Sequence, residues 1–179
     1  MQTVKIVVTG PFGAGKTEFI RSVSEIEVVS TERKITSEVE KIKNSTTVAM
    51  DFGRISVDED LVLYIFGTPG QKRFDFMWEI LSEGMLGFIV MVDSNRPETF
   101  REARSILETF RAYAPTPFVV AANKQDCDDA WTLDDMRVAL RLDPDVKMLP
   151  CVAIDKETVK KVLLELLYGI LEEMEAGRL

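Results

Sequence analysis

The residues best suited to chemistry fall in a few short stretches. The first is GPFGAGKT at residues 10–17, a full match to G-x-x-x-x-G-K-[ST]. Such a loop wraps backbone N–H groups around a phosphate, here those of Gly10, Phe12, Gly13, Ala14 and Gly15. Lys16 reaches the β/γ oxygens, the Thr17 hydroxyl binds magnesium, and the following helix points its positive end at the anion. The second stretch is NKQD at 123–126. The carboxylate of Asp126 can accept from two adjacent donors, the pattern that guanine presents at N1 and its N2 amino group. Adenine offers neither donor there, so a buried Asp126 would lie unpaired against it.

Elements that could position these groups alternate along the chain. The apolar run VKIVVTG over 4–10 is a buried strand ending at the glycine-rich loop, and 16–23 is the helix after it. From 24 to 45 the chain is polar, charged and weakly periodic, so a mobile connection is expected. TTVAMDFGRIS, 46–56, alternates with period two; the acidic turn DED at 58–60 returns it into LVLYIF, 61–66, as a hairpin. A loop over 67–76 precedes a short helix over 77–82. LGFIVMVD, 86–93, is another buried strand, and Pro97 opens a helix running to 113. FVVAANKQD is a strand with its loop, and 132–140 a helix capped by Thr132 with Asp135 three residues on. KMLPCVAI, 147–154, is the last strand and 157–175 the last helix. Strands alternating with helices imply an α/β fold with a mostly parallel sheet covered on both faces, whose ligands bind at the carboxyl ends of strands.

Bulk properties narrow the function classes. The 179 residues suit one domain over 1–179, with 46% hydrophobic and 29% charged residues. The net charge of −8 argues against a generic nucleic-acid or anionic-membrane surface. With no histidine, acid–base chemistry must use other groups and a zinc site with histidine ligands is excluded. Two cysteines suit a reducing compartment. Cys127 reads as a loop packer and Cys151 as a small buried hydrophobe. The opening MQTVKIVVTG lacks a signal peptide's apolar run, the end MEAGRL has no prenylation box, and nothing reaches transmembrane length. A cytoplasmic location without membrane insertion is expected.

With GPFGAGKT, TTVAMDFGRI, LYIFGTPGQKRF and NKQD in order, the chain resembles the Ras-like small GTPases over nearly its whole length. Within them it is similar to the bacterial MglA-like branch and to the GTP-binding subunit of actinobacterial conservon operons, on the strings TTVAMDFGRI and LYIFGTPGQ. The resemblance implies a P-loop NTPase G domain with a six-stranded sheet, bound GTP or GDP, and Mg2+. It also implies a roadblock/longin-type regulator as partner. Thr47 matches the first-switch threonine that ligates magnesium and senses the γ-phosphate, with Thr46 in that role if the register moves by one. Gly70 matches the glycine whose N–H meets the γ-phosphate, and Gln71 the glutamine that orients the attacking water. Lys16 and Gln71 are the implied catalytic groups. Asn123 would tie the base loop to the phosphate loop, and Lys124 would lay its stem along the base. In CVAI, 151–154, the Ala153 N–H would meet guanine O6, while Val152 and Ile154 replace the family's serine and lysine.

The chain departs from that pattern in FGTPGQ, where Gly67 stands at the family's magnesium-organising aspartate. Thr17, Thr47, two phosphate oxygens and two waters would still complete an octahedral shell. Asp51, four residues beyond Thr47 on the same strand face, is the proposed replacement anchor for a magnesium water, against the alternative of an edge-strand carboxylate facing solvent. Phe12 replaces a glycine and either crowds the γ-phosphate or turns outward. Arg54 is the candidate internal cation, although its spacing aims it elsewhere. Phe74, Phe76, Met77 and Trp78 divide between core packing and a partner anchor. The expected function is a GTP-driven switch with slow, magnesium-dependent hydrolysis. Its rivals are a non-hydrolysing pseudo-GTPase scaffold and a P-loop kinase or ATPase, the latter opposed by NKQD.

Overall fold

Alternation along the strands sends successive side chains to opposite sides of a sheet, and the two sides meet different helices. The computed structural model describes residues 2–28, 50–70 and 74–179. Strand β1 (Gln2–Thr9) leads into helix α1 (Lys16–Val23). Strands β2 (Asp51–Ser56) and β3 (Leu61–Gly67) form the expected antiparallel hairpin, closed by the Asp58 carboxylate accepting from the N–H groups of Asp60 and Leu61. Then follow α2 (Phe76–Ser82), β4 (Gly87–Asp93), a single 3₁₀ turn over Pro97–Thr99, α3 (Phe100–Tyr113) and β5 (Phe118–Asn123). Helix α4 (Leu133–Ala139), β6 (Met148–Pro150) and α5 (Lys156–Glu175) complete the order.

The six strands lie in the order β2-β3-β1-β4-β5-β6, all neighbours parallel except the β2–β3 pair. One face of the sheet carries Ile6, Val8, Ile65, Ile89, Met91 and Ala121 and is covered by Phe19 and Ile20 of α1 and Val162 and Leu166 of α5. The other carries Val7, Phe88, Val90, Val92 and Ala122, covered by Trp78 of α2, Ile106 and Phe110 of α3 and Met136 of α4. The period-two alternation thus feeds two cores, and the α/β architecture with helices on both faces follows from it.

Most boundaries match the sequence-based expectation within a residue or two. The connection expected over 24–45 and the first residues of the strand expected over 46–56 include 29–49, which lie outside the described residues. The helix expected from Pro97 begins with a 3₁₀ turn, and α3 proper starts at Phe100. The strand expected over 147–154 ends at Pro150. The Cys151 N–H still donates to the Ala122 carbonyl of β5 at 2.8 Å, and beyond Cys151 the backbone donors turn to other partners. The Val152 N–H donates to Thr158 Oγ1 at 3.0 Å and the Ala153 N–H to Asn123 Oδ1 at 2.9 Å, so no ladder can continue.

Candidate nucleotide site

The carboxyl ends of β1, β3, β4 and β5 converge where β1 sits between β3 and β4, the place at which the connections part to opposite sides of an α/β sheet. The loop between β1 and α1 bends through Gly13 and Gly15 with φ of 76° and 101°, conformations that favour glycine. A methyl group at Gly15 would drive into the Asn123 side chain, so the absence of Cβ lets the two loops close on each other. The Lys16 ammonium is buried and donates to the carbonyls of Gly10 at 2.8 Å and Pro11 at 2.9 Å, which holds it inside the loop's curve. Phe12 is 57% exposed and stands at the rim of the cavity that the loop borders, largely open to solvent.

Gly70 arrives from the end of β3. A Cβ there would stand 2.7 Å from Phe12 Cα and 3.0 Å from Lys16 Nζ, so only glycine brings this backbone against the loop. The segment is fixed by Thr68, whose N–H donates to the Val8 carbonyl and whose hydroxyl donates to Thr9 Oγ1. From α2, the buried Trp78 donates its indole N–H to the Pro69 carbonyl at 3.3 Å. Phe12, Lys16, Thr68, Pro69 and Gly70 border a cavity of about 240 Å³ that also includes Thr17 and Asp51.

Asp51 opens β2 directly opposite Gly67 of β3. Its carboxylate is 9% exposed and accepts the Thr17 hydroxyl proton at 2.5 Å. A side chain at Gly67 would meet Asp51 Cβ at 3.0 Å and Ile20 Cδ1 at 2.8 Å. The Asp51 carboxylate therefore fills the space that a residue at 67 would claim, one strand over. The alternative of a solvent-facing edge carboxylate is not what the fold adopts. Arg54 projects to the opposite face of β2 from Asp51, away from the cavity.

On the far side of the loop Asn123 ends β5 and reaches two segments at once. Its Nδ2 donates to the Ala14 carbonyl at 2.8 Å and its Oδ1 accepts from the Ala153 N–H. That second bond corrects the expectation for Ala153: its N–H is directed at Asn123 rather than toward a base. Lys124 adopts φ 64°, and its ammonium pairs with the buried Asp93 carboxylate at 2.5 Å, with the rest of its side chain partly open to solvent. Asp93 also accepts from the Asn95 N–H at 3.0 Å, so it joins the base loop to the turn that follows β4. Gln125 donates to Ser94 Oγ at 2.7 Å and to the Trp131 carbonyl at 3.0 Å. Asp126 is exposed, where the sequence reading supposed it buried. Behind the loop, burial pushes the Cys151 thiol up to about 11.

The fold thus brings Gly10, Phe12, Gly13, Ala14, Gly15, Lys16, Thr17, Asp51 and Gly70 to one side and Asn123, Lys124, Asp126 and Ala153 to the other. Thr46, Thr47 and Gln71 lie outside the described residues. Sequence reasoning missed two members. One is Asp93 as the Lys124 partner, although a carboxylate at the tip of an apolar strand was a signal. The other is Arg96, whose Nη1 lies 3.2 Å from where a Cβ at Gly13 would stand and whose Nε pairs with Glu98 at 3.1 Å. Among the described residues no group of three or more His, Cys, Asp or Glu side chains could hold a metal alone. The donors present, the Thr17 hydroxyl with Asp51 behind it, are all oxygen and suit magnesium shared with phosphate ligands.

A glycine-rich loop with Lys16 and Thr17 at the carboxyl end of the first strand of such a sheet defines an α/β protein of the P-loop class. A family model described as "Conserved hypothetical ATP binding protein" matches residues 26–173. The uncharacterized protein MJ1339 of Methanocaldococcus jannaschii is 30% identical over 72% of this chain and 75% of its own. Human ADP-ribosylation factor-like protein 9 is 31% identical over 77% of this chain and 67% of its own, and human ADP-ribosylation factor-like protein 4C is 28% identical over 79% and 70%. The chain belongs to the Ras-like small GTPase superfamily, with ADP-ribosylation factor-like relatives, and to the family that the matching model describes.

Proposed function

We propose that the chain is a guanine-nucleotide switch that binds GTP or GDP with Mg2+, hydrolyses GTP slowly and alters its partner surface between the two states. The observation that carries this reading is Asn123, which joins the phosphate loop at Ala14 to the segment around Ala153 and so builds both loops into one site. In that site the open carboxylate of Asp126 suits the paired donors of guanine. The family description speaks of ATP and its matched span, 26–173, includes 123–126; the guanine reading rests instead on the chemistry of Asp126 in that stretch. An aspartate there has two donors to meet in guanine and none in adenine.

Thr17, with Asp51 behind it, would help to hold a magnesium ion, which would supply positive charge to stabilise the phosphate oxygens. The chain's part is to orient its own groups. Because Thr17 gives its hydroxyl proton to Asp51, its oxygen lone pairs are left for a cation. Asp51 thereby supplies from β2 the carboxylate that Gly67 lacks on β3. Lys16 holds charge at the phosphate oxygens, and Gly70 offers a backbone N–H beside it. Thr47 is proposed to close the metal shell and Gln71 to orient the attacking water. Phosphoryl transfer of this kind asks for positioning and charge stabilisation, with no covalent intermediate on the protein.

The output surface is the segment after Gly70. Phe74 and Trp78 are buried while Phe76 and Ile80 are more than half exposed, so the same short stretch both packs and presents. With Phe12 these side chains suit a regulator of the roadblock/longin type, a partner suggested by the narrower likeness to the MglA-like branch. One G domain over 1–179 is part of the reading, as is a cytoplasmic location. Among the described residues no helix is long and apolar enough to cross a membrane.

Single-turnover phosphate release from GTP-loaded protein, with magnesium and with chelator, tests the proposal. Slow release that requires magnesium is expected. Gly67 favours a second reading, a nucleotide-held scaffold, and GTP left intact under both conditions would select it.

A further inference from the structure

Away from the nucleotide cavity, a groove of about 760 Å³ runs between α3 and the end of α4. Its walls are basic and aromatic, although the whole chain carries −8. Arg101 and Arg104 stand one turn apart on α3, and Arg141 faces them from just beyond α4. Arg104 is paired with Glu108 at 2.8 Å. The guanidinium groups of Arg101 and Arg141 have no hydrogen-bond or ion-pair partner among the described residues. Between the arginines the Trp131 ring meets Phe100 edge to face at 5.3 Å, with Phe100 buried and Trp131 39% exposed.

Arg141 is the informative member. It adopts φ 50° directly after Leu140, which caps the carboxyl end of α4. That position ordinarily takes glycine, and any side chain there strains the backbone. The fold accepts that strain and aims an uncompensated cation at the groove. Helix termination does not require the guanidinium, which is exposed at the groove and open to a ligand outside the fold.

We propose that this groove docks an acidic segment of a partner protein that carries one aromatic or aliphatic residue between its carboxylates. Two unpaired guanidinium groups offer forked donors to carboxylates, and the Trp131–Phe100 pair offers an apolar seat for the anchor. A peptide suits the site better than an anionic membrane does, because the arginines line a recess in an otherwise acidic chain rather than a broad basic face. The groove also adjoins the base loop. The Trp131 N–H donates to the Ser94 carbonyl at 2.9 Å, while its carbonyl accepts from Gln125, the third residue of 123–126. Resting on the guanine-nucleotide reading, the proposal extends to regulation: seating a segment on Trp131 shifts Gln125 and changes how fast nucleotide leaves.

The test uses the full chain and fluorescein-labelled peptides rich in Glu and Asp with a central Phe, Trp or Leu, alongside Gln/Asn counterparts. Fluorescence anisotropy is expected to show binding of the acidic set only, weakening as salt rises. Arg101→Glu is expected to loosen it about tenfold. Arg141→Gly relieves the backbone, so it is expected to raise the unfolding midpoint while weakening peptide binding, which separates docking from folding. Equal binding of acidic and neutral peptides, no binding of either, or full affinity in Arg141→Gly would overturn the proposal. So would Arg101-dependent sedimentation with phosphatidylserine vesicles in the absence of peptide binding. Release of fluorescently labelled GDP is then followed with and without peptide. An unchanged rate with peptide bound would overturn the regulatory extension. Failure to bind GDP at all would refute the guanine reading, and anisotropy would still decide the groove.

Discussion

Moving one carboxylate across a single strand pair tests how Thr17 is held. Asp51 and Gly67 are cross-strand partners, and the Asp51 carboxylate takes the Thr17 hydroxyl proton at 2.5 Å in a setting only 9% exposed. A hydrogen bond to a charged, shielded acceptor contributes about 1.5–3 kcal/mol. If that energy orients Thr17 toward a cation, Asp51→Ala should weaken magnesium affinity of the GDP complex about ten- to hundredfold, the range seen for partners that orient metal ligands. Asp51→Asn keeps an acceptor without the charge and should lose less. Gly67→Asp alone should also do harm, because its Cβ would meet Ile20 Cδ1 at 2.8 Å and Asp51 Cβ at 3.0 Å. Overpacking of that kind costs about 1–3 kcal/mol. The double variant Asp51→Ala, Gly67→Asp keeps the contacts with the Cβ at 51 and with Ile20 Cδ1, but it frees the space of the Asp51 carboxylate oxygen 3.4 Å away and restores a carboxylate at the same register. It should therefore bind magnesium more tightly than Asp51→Ala does. The assay is magnesium titration of labelled-GDP release, with urea unfolding in parallel to separate affinity from stability. Unchanged magnesium dependence in Asp51→Ala, or effects that simply add in the double variant, would refute the reasoning.

Two further predictions concern the base side. Asn123→Ala leaves the Ala14 carbonyl and the Ala153 N–H without their partner, so stability should fall by about 2–4 kcal/mol in urea unfolding, with faster nucleotide release. The Cys151 thiol is pushed up to about 11 from its ordinary 9.0, so the folded state resists its ionisation. That contribution is fully present below pH 9 and is lost as pH rises toward 11, by up to about 2–3 kcal/mol. Cys151→Ala should remove that part of the alkaline slope, as measured by unfolding at stepped pH.

The strand periodicity made the fold legible, because each apolar alternation maps onto one of two cores. Spacing likewise placed Lys16, Thr17 and Asn123, whose roles depend on the loop that follows a strand. What sequence could not give were contacts set by tertiary approach. Asp51 and Thr17 are 34 positions apart and meet only once β2 pairs with β3. The Lys124–Asp93 pair depends in the same way on β4 and β5 lying side by side. The last strand was read too long because CVAI is as apolar as MLP; what ends it is competition from Asn123 and Thr158 for its backbone. The direction of Phe12 was open for a similar reason, since only the approach of Gly70 to the loop backbone decides which side is free.

The central claim is that 123–126 selects guanine. Its most direct test is the competition of GDP, ADP and xanthosine diphosphate for the site in the presence of magnesium, in wild type and Asp126→Asn. The account predicts that wild type prefers GDP over ADP by at least about a hundredfold, since a site built for two donors rejects a base that lacks them. It also predicts that Asp126→Asn moves the preference to the xanthine nucleotide, whose C2 carbonyl accepts where guanine donates. ADP binding as tightly as GDP in wild type would contradict it and return the chain to the adenine nucleotide that its family description names.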